Sequence, residues 1–126
     1  MARGIFALGM THTVLIVEDA VDLREILELT LANAGFAVIT AESARHALER
    51  VREFPHLDLV LADFNLPDGQ NLVPTLKRMR PNLPVVVLSG DPYNARAELP
   101  EADAVLGKPV SGNTIVSELR RFLTAA

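Results

Sequence analysis

Five short apolar runs, separated by segments with helical spacing, constrain the fold of this chain more than any other feature. Four of the runs are nearly continuous and largely β-branched, and the fifth is weaker; they cover residues 14–17, 57–62, 85–88 and 104–106, and the weaker run covers 36–39. Continuous runs of this length are typical of strands that are buried on both faces, as in a parallel sheet. The sequence therefore predicts a parallel sheet.

The segments between these runs carry apolar residues at the spacing of an amphipathic helix. This spacing predicts helices over 21–34, 44–54, 71–80 and 112–123. In the first of these helices it places Ile26, Leu27 and Leu31 on one apolar stripe. Ser43 stands where an N-cap is expected, and Gly35 stands where a C-cap is expected. Pro92 and Pro100 bracket at most two turns, so the fourth helix is expected to be short or irregular.

Strands and helices alternate along the chain, which is typical of a doubly wound α/β fold with an open parallel sheet and helices on both faces. With 126 residues, the chain is long enough for one domain and has little room for a second. We expect residues 1–11 to be an N-terminal extension and residues 12–126 to form the domain, with the natural start at Met1 or Met10.

Composition excludes several classes of function. The absence of Cys excludes a disulfide framework, a thiol nucleophile and a thiolate metal site. The 16 acidic residues outnumber the 12 basic ones, and the resulting net charge of −4 argues against a nucleic-acid-binding surface. The sequence lacks both a secretory leader and a stretch of about 20 apolar residues, so we expect a cytoplasmic protein without a membrane span.

Polar side chains follow four of the five predicted strands. Glu18 and Asp19 follow the first strand, Asp63 follows the third, Ser89 the fourth and Lys108 the fifth. In open α/β sheets, ligands bind outside the carboxyl ends of the strands. We therefore expect three carboxylates, one hydroxyl and one ammonium group to converge at this edge.

Three carboxylates at one edge repel one another, and two charges ~5 Å apart cost about 3 kcal/mol at an effective dielectric near 20. A hard divalent cation offsets this repulsion, and Mg²⁺ typically takes one or two carboxylates and several waters. Lys108 is one of only two Lys beside ten Arg, and its compact charge suits a phosphoryl oxygen. Lys77, the other Lys, is expected to be an ordinary exposed charge on a helix.

This ordered set of residues resembles the receiver domain of two-component response regulators, the CheY-like family. The matching residues are Glu18-Asp19, Asp63 within the segment LADFNLPDG at 61–69, Ser89 and Lys108-Pro109, and the resemblance covers about residues 12–124. It implies a flavodoxin-like sheet of five parallel strands in the order 2-1-3-4-5 between two layers of helices. It also implies that residues 12–126 form a receiver, or response regulatory, domain.

The resemblance implies a Mg²⁺ site around a phosphoacceptor. Asp63 would accept the phosphoryl group and form an aspartyl phosphate. Asp19 and Asp63 would bind Mg²⁺ directly, together with the backbone carbonyl of Asn65, and Glu18 would bind it through water.

The remaining polar residues would act on the phosphoryl group. Lys108 would pair with Asp63 and then with the phosphoryl group, and the Ser89 hydroxyl would donate to a phosphoryl oxygen. Asn65 and Asp91, two residues past Asp63 and Ser89, would flank the hydrolytic water and tune the lifetime of the phosphate. The alternative for Asn65 and Asp91 is that each caps a loop, and the sequence does not decide between the two roles.

Two features depart from the family pattern. Many receivers carry Tyr or Phe three residues before the lysine, where this chain has Val105. The segment from Ser89 to Lys108 also looks shorter than usual and contains Pro100. Both changes fall on the usual output face, so this chain departs from the family pattern in its output and not in its phosphorylation site.

The leading hypothesis is a stand-alone receiver that takes a phosphoryl group from a sensor histidine kinase or a histidine phosphotransfer protein. It would signal by altered binding to a downstream protein and would be a monomer or weak homodimer. It would not be an enzyme, because it would catalyse only the phosphorylation and dephosphorylation of its own Asp63. The alternative is a phosphorylation-independent binding module with the receiver fold. A Mg²⁺-dependent phosphohydrolase is disfavoured, because such enzymes usually have a second acidic residue two positions after the nucleophile, where this chain has Asn65.

Overall fold

Five parallel strands form the sheet in the computed structural model, which describes residues 11–123. The strands are β1 Thr13–Val17, β2 Ala37–Ala41, β3 Leu59–Asp63, β4 Val85–Ser89 and β5 Ala104–Gly107. Their order is β2-β1-β3-β4-β5, and every neighbouring pair is parallel. The predicted fold class and strand order are confirmed, although β2 ends at Ala41, two residues later than the apolar run indicated.

Five helices connect the strands: α1 Val21–Asn33, α2 Ala44–Glu53, α3 Leu72–Met79, α4 Pro92–Glu98 and α5 Gly112–Leu123. The predicted helices agree with these bounds to within one residue at each end. Helix α4 has seven residues, which confirms the prediction of a short helix between the two prolines. The predicted N-terminal extension lies outside the described residues, apart from Thr11, and so does the choice between Met1 and Met10.

Helices cover the sheet on both faces, and strands β3 and β4 are buried along their whole length. One apolar cluster joins alternate strand residues such as Leu15 and Val60 to α2 and α3, and the other joins Ile16 and Leu61 to α1 and α5. This burial on both faces explains why the sequence runs are continuously apolar, since successive side chains of a strand point to opposite faces. Among residues 11–123, no helix combines the length and hydropathy needed to cross a membrane.

Helix α1 packs differently from its predicted stripe. Leu27 and Leu31 are buried, as the spacing predicted, but Ile26 on the same predicted stripe is 59% exposed. Leu29 is exposed as well. Apolar residues thus lie on more than one face of α1, so their spacing could not single out the buried face.

Two side chains cap the N-terminus of α2. Ser43, the predicted N-cap, accepts a hydrogen bond from the His46 amide at 3.0 Å. Asp68, from the loop between β3 and α3, accepts hydrogen bonds from the amides of Ala44 at 2.9 Å and Arg45 at 3.1 Å. These two bonds hold the pKa of the Asp68 carboxyl below its ordinary value of 3.8. The cap therefore ties the loop that follows Asp63 to the start of α2.

We expect Asp68→Ala to lower the free energy of unfolding by about 1 kcal/mol, because the amides of Ala44 and Arg45 lose their acceptor. Asp68→Asn should lower the free energy of unfolding by less, since the side-chain amide oxygen of Asn still accepts one of the two hydrogen bonds. Urea denaturation of the three proteins at neutral pH measures the difference, and Glu101→Ala, on an exposed residue outside the cap, is the control. Equal stability of wild type and Asp68→Ala would contradict the cap.

The same cap has a defined pH dependence. Because the folded protein lowers the pKa of Asp68 below 3.8, the ionised carboxylate stabilises the fold above that pH. This contribution is lost as the pH falls through the lowered pKa. We therefore expect the advantage of wild type over Asp68→Asn to be constant near neutrality and to shrink below pH 3.8. An advantage that grows on acidification would contradict this assignment.

Candidate functional site

The carboxyl ends of four strands bring the predicted site residues to one edge of the sheet. Glu18 and Asp19 follow β1 directly, Asp63 ends β3, Ser89 ends β4 and Lys108 follows β5. The register places Asp63 beside Leu88 and Ser89 beside Gly107. Within residues 11–123, the buried polar or charged side chains are those of Glu18, Asp63 and Ser89.

Three carboxylates form a cluster at this edge. Glu18, Asp19 and Asp63 each offer one oxygen, and these oxygens lie within 4.8 Å of one another. Glu18 is 2% exposed; its Oε2 accepts a hydrogen bond from the Ala20 amide at 3.1 Å, and its Oε1 is buried without a partner. An unpartnered buried oxygen beside two further carboxylates fits a hard divalent cation, which takes oxygen ligands.

The electrostatics of Glu18 reflect this cluster. Burial raises the pKa of the Glu18 carboxyl above its ordinary value of 4.5, and the neighbouring Asp63 and Asp19 raise it further. The Ala20 amide and the Lys108 charge act in the opposite direction but do not cancel the rise. The ionised form of Glu18 is therefore penalised in the folded protein.

Asp63 has two different polar partners. The Lys108 ammonium Nζ donates to Oδ1 of Asp63 at 2.5 Å, and the Asn65 amide donates to Oδ2 at 3.2 Å. The Lys108 side chain is 30% exposed, whereas that of Asp63 is 5% exposed. Lys108 also donates its own amide to the Ser89 carbonyl at 2.7 Å, and its peptide bond to Pro109 is cis. The ammonium group therefore reaches a nearly buried carboxylate from a partly exposed position.

Ser89 connects the site to the short helix α4. Its hydroxyl oxygen accepts a hydrogen bond from the Asp91 amide at 2.9 Å. The Asp91 carboxylate in turn caps α4 by accepting a hydrogen bond from the Asn94 amide at 3.1 Å. The loop-cap alternative for Asp91 thus describes its contacts in this structure, and a role in phosphate lifetime stays a prediction for both Asp91 and Asn65.

A second contact links the site to α4. A methyl group added at Gly107 would lie 3.0 Å from Cγ of Pro92, so the end of β5 lies directly against the first residue of α4. Next to Asp63, a cavity of about 320 Å³ extends between α3 and α4 and is lined in part by Val73, Val87 and Leu99. The first turn of α4 therefore contacts the loops that carry both Ser89 and Lys108.

Two basic residues differ from what the sequence indicated. Lys77 is not an ordinary exposed charge: its side chain is 20% exposed and pairs with Asp103 at 2.8 Å, and it also donates to the Leu83 carbonyl. Arg24, which the motif analysis did not single out, donates to the Glu18 carbonyl at 2.8 Å. An arginine five residues after Asp19, in the first turns of a predicted helix, was the available sequence signal.

Comparison with known proteins gives one consistent family. A family model, the response regulator receiver domain, matches residues 14–120. The chain is 32% identical over 120 residues to the response regulator receiver protein CpdR of Brucella abortus, covering 90% of this chain and 98% of that protein. A crystal structure of a response regulator receiver protein from Sinorhizobium medicae is 28% identical, has a TM-score of 0.82, and is matched over 91% of this chain and 96% of that one.

Some relatives are considerably longer. The chain is 32% identical over 121 residues to the phosphate regulon transcriptional regulatory protein PhoB of Klebsiella pneumoniae. This match covers 90% of the chain but 52% of that protein, so the chain spans about half the length of this relative.

We expect Glu18→Gln to raise the free energy of unfolding by about 1 kcal/mol at neutral pH without metal, because it removes a buried charge whose Oε1 has no partner. Since folding raises the pKa of Glu18, the charge penalises the fold above pH 4.5, and the advantage of the variant should shrink as the pH falls toward that value. Thermal unfolding at pH 7 and pH 4.5 measures both effects. Glu28→Gln, on an exposed residue of α1, is the matched control and should change little. If Glu18→Gln is no more stable than wild type, the inferred repulsion between Glu18 and the neighbouring carboxylates is contradicted.

Proposed function

Because the chain belongs to the response regulator receiver family of two-component systems, we propose that it accepts a phosphoryl group on Asp63 from a histidine kinase or a histidine phosphotransfer protein. The observation that carries this proposal is the contact of Lys108 with Asp63 inside the acidic cluster. Receiver domains are signalling modules rather than conventional enzymes. The phosphorylated chain would therefore act by changing its binding to another protein.

Asp63 is the nucleophile in this proposal. One of its carboxylate oxygens forms a bond to phosphorus while the bond from phosphorus to the imidazole nitrogen of the donor breaks, and the donor histidine leaves with that electron pair. Such a transfer needs mainly positioning and charge stabilisation. The site supplies both, since Lys108 and the Asn65 amide hold the two oxygens of Asp63 in fixed directions.

Receiver domains bind Mg²⁺ through an acidic pocket, and the oxygen donors of this chain fit that ion. Asp19, Asp63 and the backbone carbonyl of Asn65 would hold the ion directly, and Glu18 would hold it through water. When bound, Mg²⁺ supplies positive charge that lowers the repulsion between Asp63 and the incoming phosphoryl oxygens. The unpartnered Oε1 of Glu18 supports this assignment.

Lys108 and Ser89 would then bind the phosphoryl group itself. The Lys108 ammonium transfers its contact from the Asp63 carboxylate to a phosphoryl oxygen, and the Ser89 hydroxyl donates to another. The Ser89 hydroxyl oxygen accepts the Asp91 amide in this structure, which leaves its own proton free to donate. Both groups lie at strand ends, so the same movement shifts the loops after β4 and β5.

The first turn of α4 is the part of the surface that would respond. The loop of Ser89 reaches it through the Asp91 amide, and the loop of Lys108 reaches it through the contact between Gly107 and Pro92. Val105, in place of the family's aromatic residue, is only half-buried and packs against the apolar cluster. Tyr93 lies in this first turn and is 92% exposed, so it is available to a partner.

Phosphorylation can be tested directly on the intact protein. Incubation with acetyl phosphate and Mg²⁺ should add one phosphoryl group, seen by mass spectrometry, and the adduct should be absent in Asp63→Ala. Asp58→Asn is the matched control, because Asp58 binds the Thr13 amide at the opposite end of the sheet and should not affect labelling. Full labelling of Asp63→Ala would rule out the assignment.

The response of α4 can be followed at Tyr93, which is the only Tyr of the chain. Labelling with 3-fluorotyrosine gives one ¹⁹F resonance, which should shift when acetyl phosphate and Mg²⁺ are added to wild type but not to Asp63→Asn. Ser89→Ala should accept the phosphoryl group and lose most of the shift, because its link to the Asp91 amide is gone. Ser117→Ala, on the exposed side of α5, is the control. A full shift in phosphorylated Ser89→Ala would contradict this route.

A phosphorylation-independent binding module is the second candidate, and Val105 is the observation that favours it, since the usual aromatic switch residue is missing. Once a protein partner is in hand, its affinity for wild type with phosphodonor and for Asp63→Asn separates the two functions. Equal affinities would favour the constitutive module, whereas a difference of tenfold or more, about 1.4 kcal/mol, would favour the switch.

A further inference from the structure

We infer that Arg24 is a positioning residue for the acidic cluster. It holds the loop between β1 and α1, which carries Glu18 and Asp19, in the arrangement that binds a divalent cation. This inference rests on the proposed function, because it takes the cluster to be a Mg²⁺ site. It assigns to Arg24 a role through the backbone of the loop and not through contact with the ion.

The loop leaves the sheet immediately before its two acidic residues. The last strand pairing of β1 is at Val17, and the Glu18 amide then donates to the Ala41 carbonyl at 3.0 Å. Beyond this bond, Asp19 and Ala20 lie outside the sheet. The N-cap of α1 is Ala20, so no side chain caps the helix at this end.

Arg24, which lies in α1, forms hydrogen bonds with the backbone of this loop. Its guanidinium Nη1 donates to the Glu18 carbonyl at 2.8 Å and reaches the Asp19 carbonyl at 3.5 Å. Its amide donates to the Ala20 carbonyl at 2.9 Å. Among the hydrogen bonds of residues 11–123, no side chain other than that of Arg24 reaches the loop carbonyls from outside the loop.

The geometry of the cluster makes such an anchor necessary. Glu18 and Asp19 carry their carboxylates toward that of Asp63, within 4.8 Å, and the mutual repulsion pushes the loop away from β3. A hydrogen bond from a charged guanidinium to a carbonyl is stronger than one between neutral groups. Arg24 therefore resists the displacement that would separate the two acids from Asp63.

The charge of Arg24 and its positioning role have opposite effects on cation binding. A guanidinium charge near the cluster repels a divalent cation, so removing the charge alone would tighten binding. Loss of the anchor would instead let Glu18 and Asp19 move apart and would weaken binding. The sign of the change in Mg²⁺ affinity therefore distinguishes the two roles.

The test is calorimetric titration of wild type, Arg24→Ala and Arg24→Lys with MgCl₂. We expect Arg24→Ala to bind Mg²⁺ about tenfold more weakly, the loss typical when a residue that orients metal ligands is removed. Arg24→Lys should recover part of the affinity, because an ammonium group can donate to the Glu18 carbonyl but lacks the forked donor. Circular dichroism checks that each variant is folded, and Arg24→Lys keeps the test valid if Arg24→Ala does not fold.

Arg80 provides a matched control at the opposite end of the sheet. Its guanidinium also donates to two backbone carbonyls, those of Phe54 at 3.3 Å and Leu57 at 2.8 Å. Arg80→Ala should lower the melting temperature and leave Mg²⁺ affinity unchanged. An equal loss of affinity in Arg80→Ala would overturn the inference, because the effect would then be general destabilisation.

The remaining outcomes separate this inference from the proposed function. Unchanged or tighter Mg²⁺ binding in Arg24→Ala, with normal binding in wild type, overturns the positioning role and leaves the proposed function intact. Absence of Mg²⁺ binding in wild type overturns both. Weaker binding in Arg24→Ala, with partial recovery in Arg24→Lys and no change in Arg80→Ala, supports the positioning role.

Discussion

Repulsion between the carboxylates at the end of the sheet is the interaction on which the rest of the site depends. Oxygens of Glu18, Asp19 and Asp63 lie within 4.8 Å, a separation at which each pair of charges costs ~3 kcal/mol at an effective dielectric near 20. Lys108 offsets part of this cost by its contact with Asp63, but Glu18 stays buried with one oxygen unpartnered. The fold therefore holds the site in a state that any added positive charge relaxes.

The parallel sheet explains how much of this site the sequence could predict. Continuous apolar runs identify strands buried on both faces, and the residue after each run falls at the carboxyl edge whatever the details of packing. Asp63, Ser89 and Lys108 were therefore predicted from their positions alone. Arg24 and Asp68 were not, because their roles depend on the direction of a side chain toward carbonyls or amides of another segment. Ile26 was placed wrongly for a related reason, since α1 is apolar on more than one face.

Under the proposed function, the route from the site to the surface runs through the short helix α4, which has little apolar packing of its own. With seven residues, it buries only Ala95 completely, and its last residue, Glu98, lines a cavity of about 320 Å³ together with Leu72 and Val73 of α3. Its first turn is fixed instead by polar and close contacts with the loops of Ser89 and Lys108. Little apolar packing of the helix opposes a movement that begins at its first turn, although Arg96 in its last turn donates to the carbonyls of Leu99 and Ala102. Under the proposed function, Val105 in place of an aromatic residue would therefore leave this link between the site and the surface in place.

Each of the two lysines forms an ion pair with an aspartate, and the two pairs lie at opposite ends of the sheet. One pair stabilises the fold, whereas the other would change its contact under the proposed function. Lys77 pairs with Asp103, whose Oδ2 also accepts the Val85 amide at 2.8 Å, so this carboxylate oxygen accepts from two donors. Lys108 pairs with Asp63, which faces Glu18 and Asp19 as well. In the first pair, both donors to the carboxylate favour the existing contact. In the second, the ammonium contacts a carboxylate that has two further acids beside it, and under the proposed function a phosphoryl group on Asp63 would offer the ammonium a stronger acceptor. Under the proposed function, the acids beside Asp63, and not a property of the lysine itself, would make the second contact able to change.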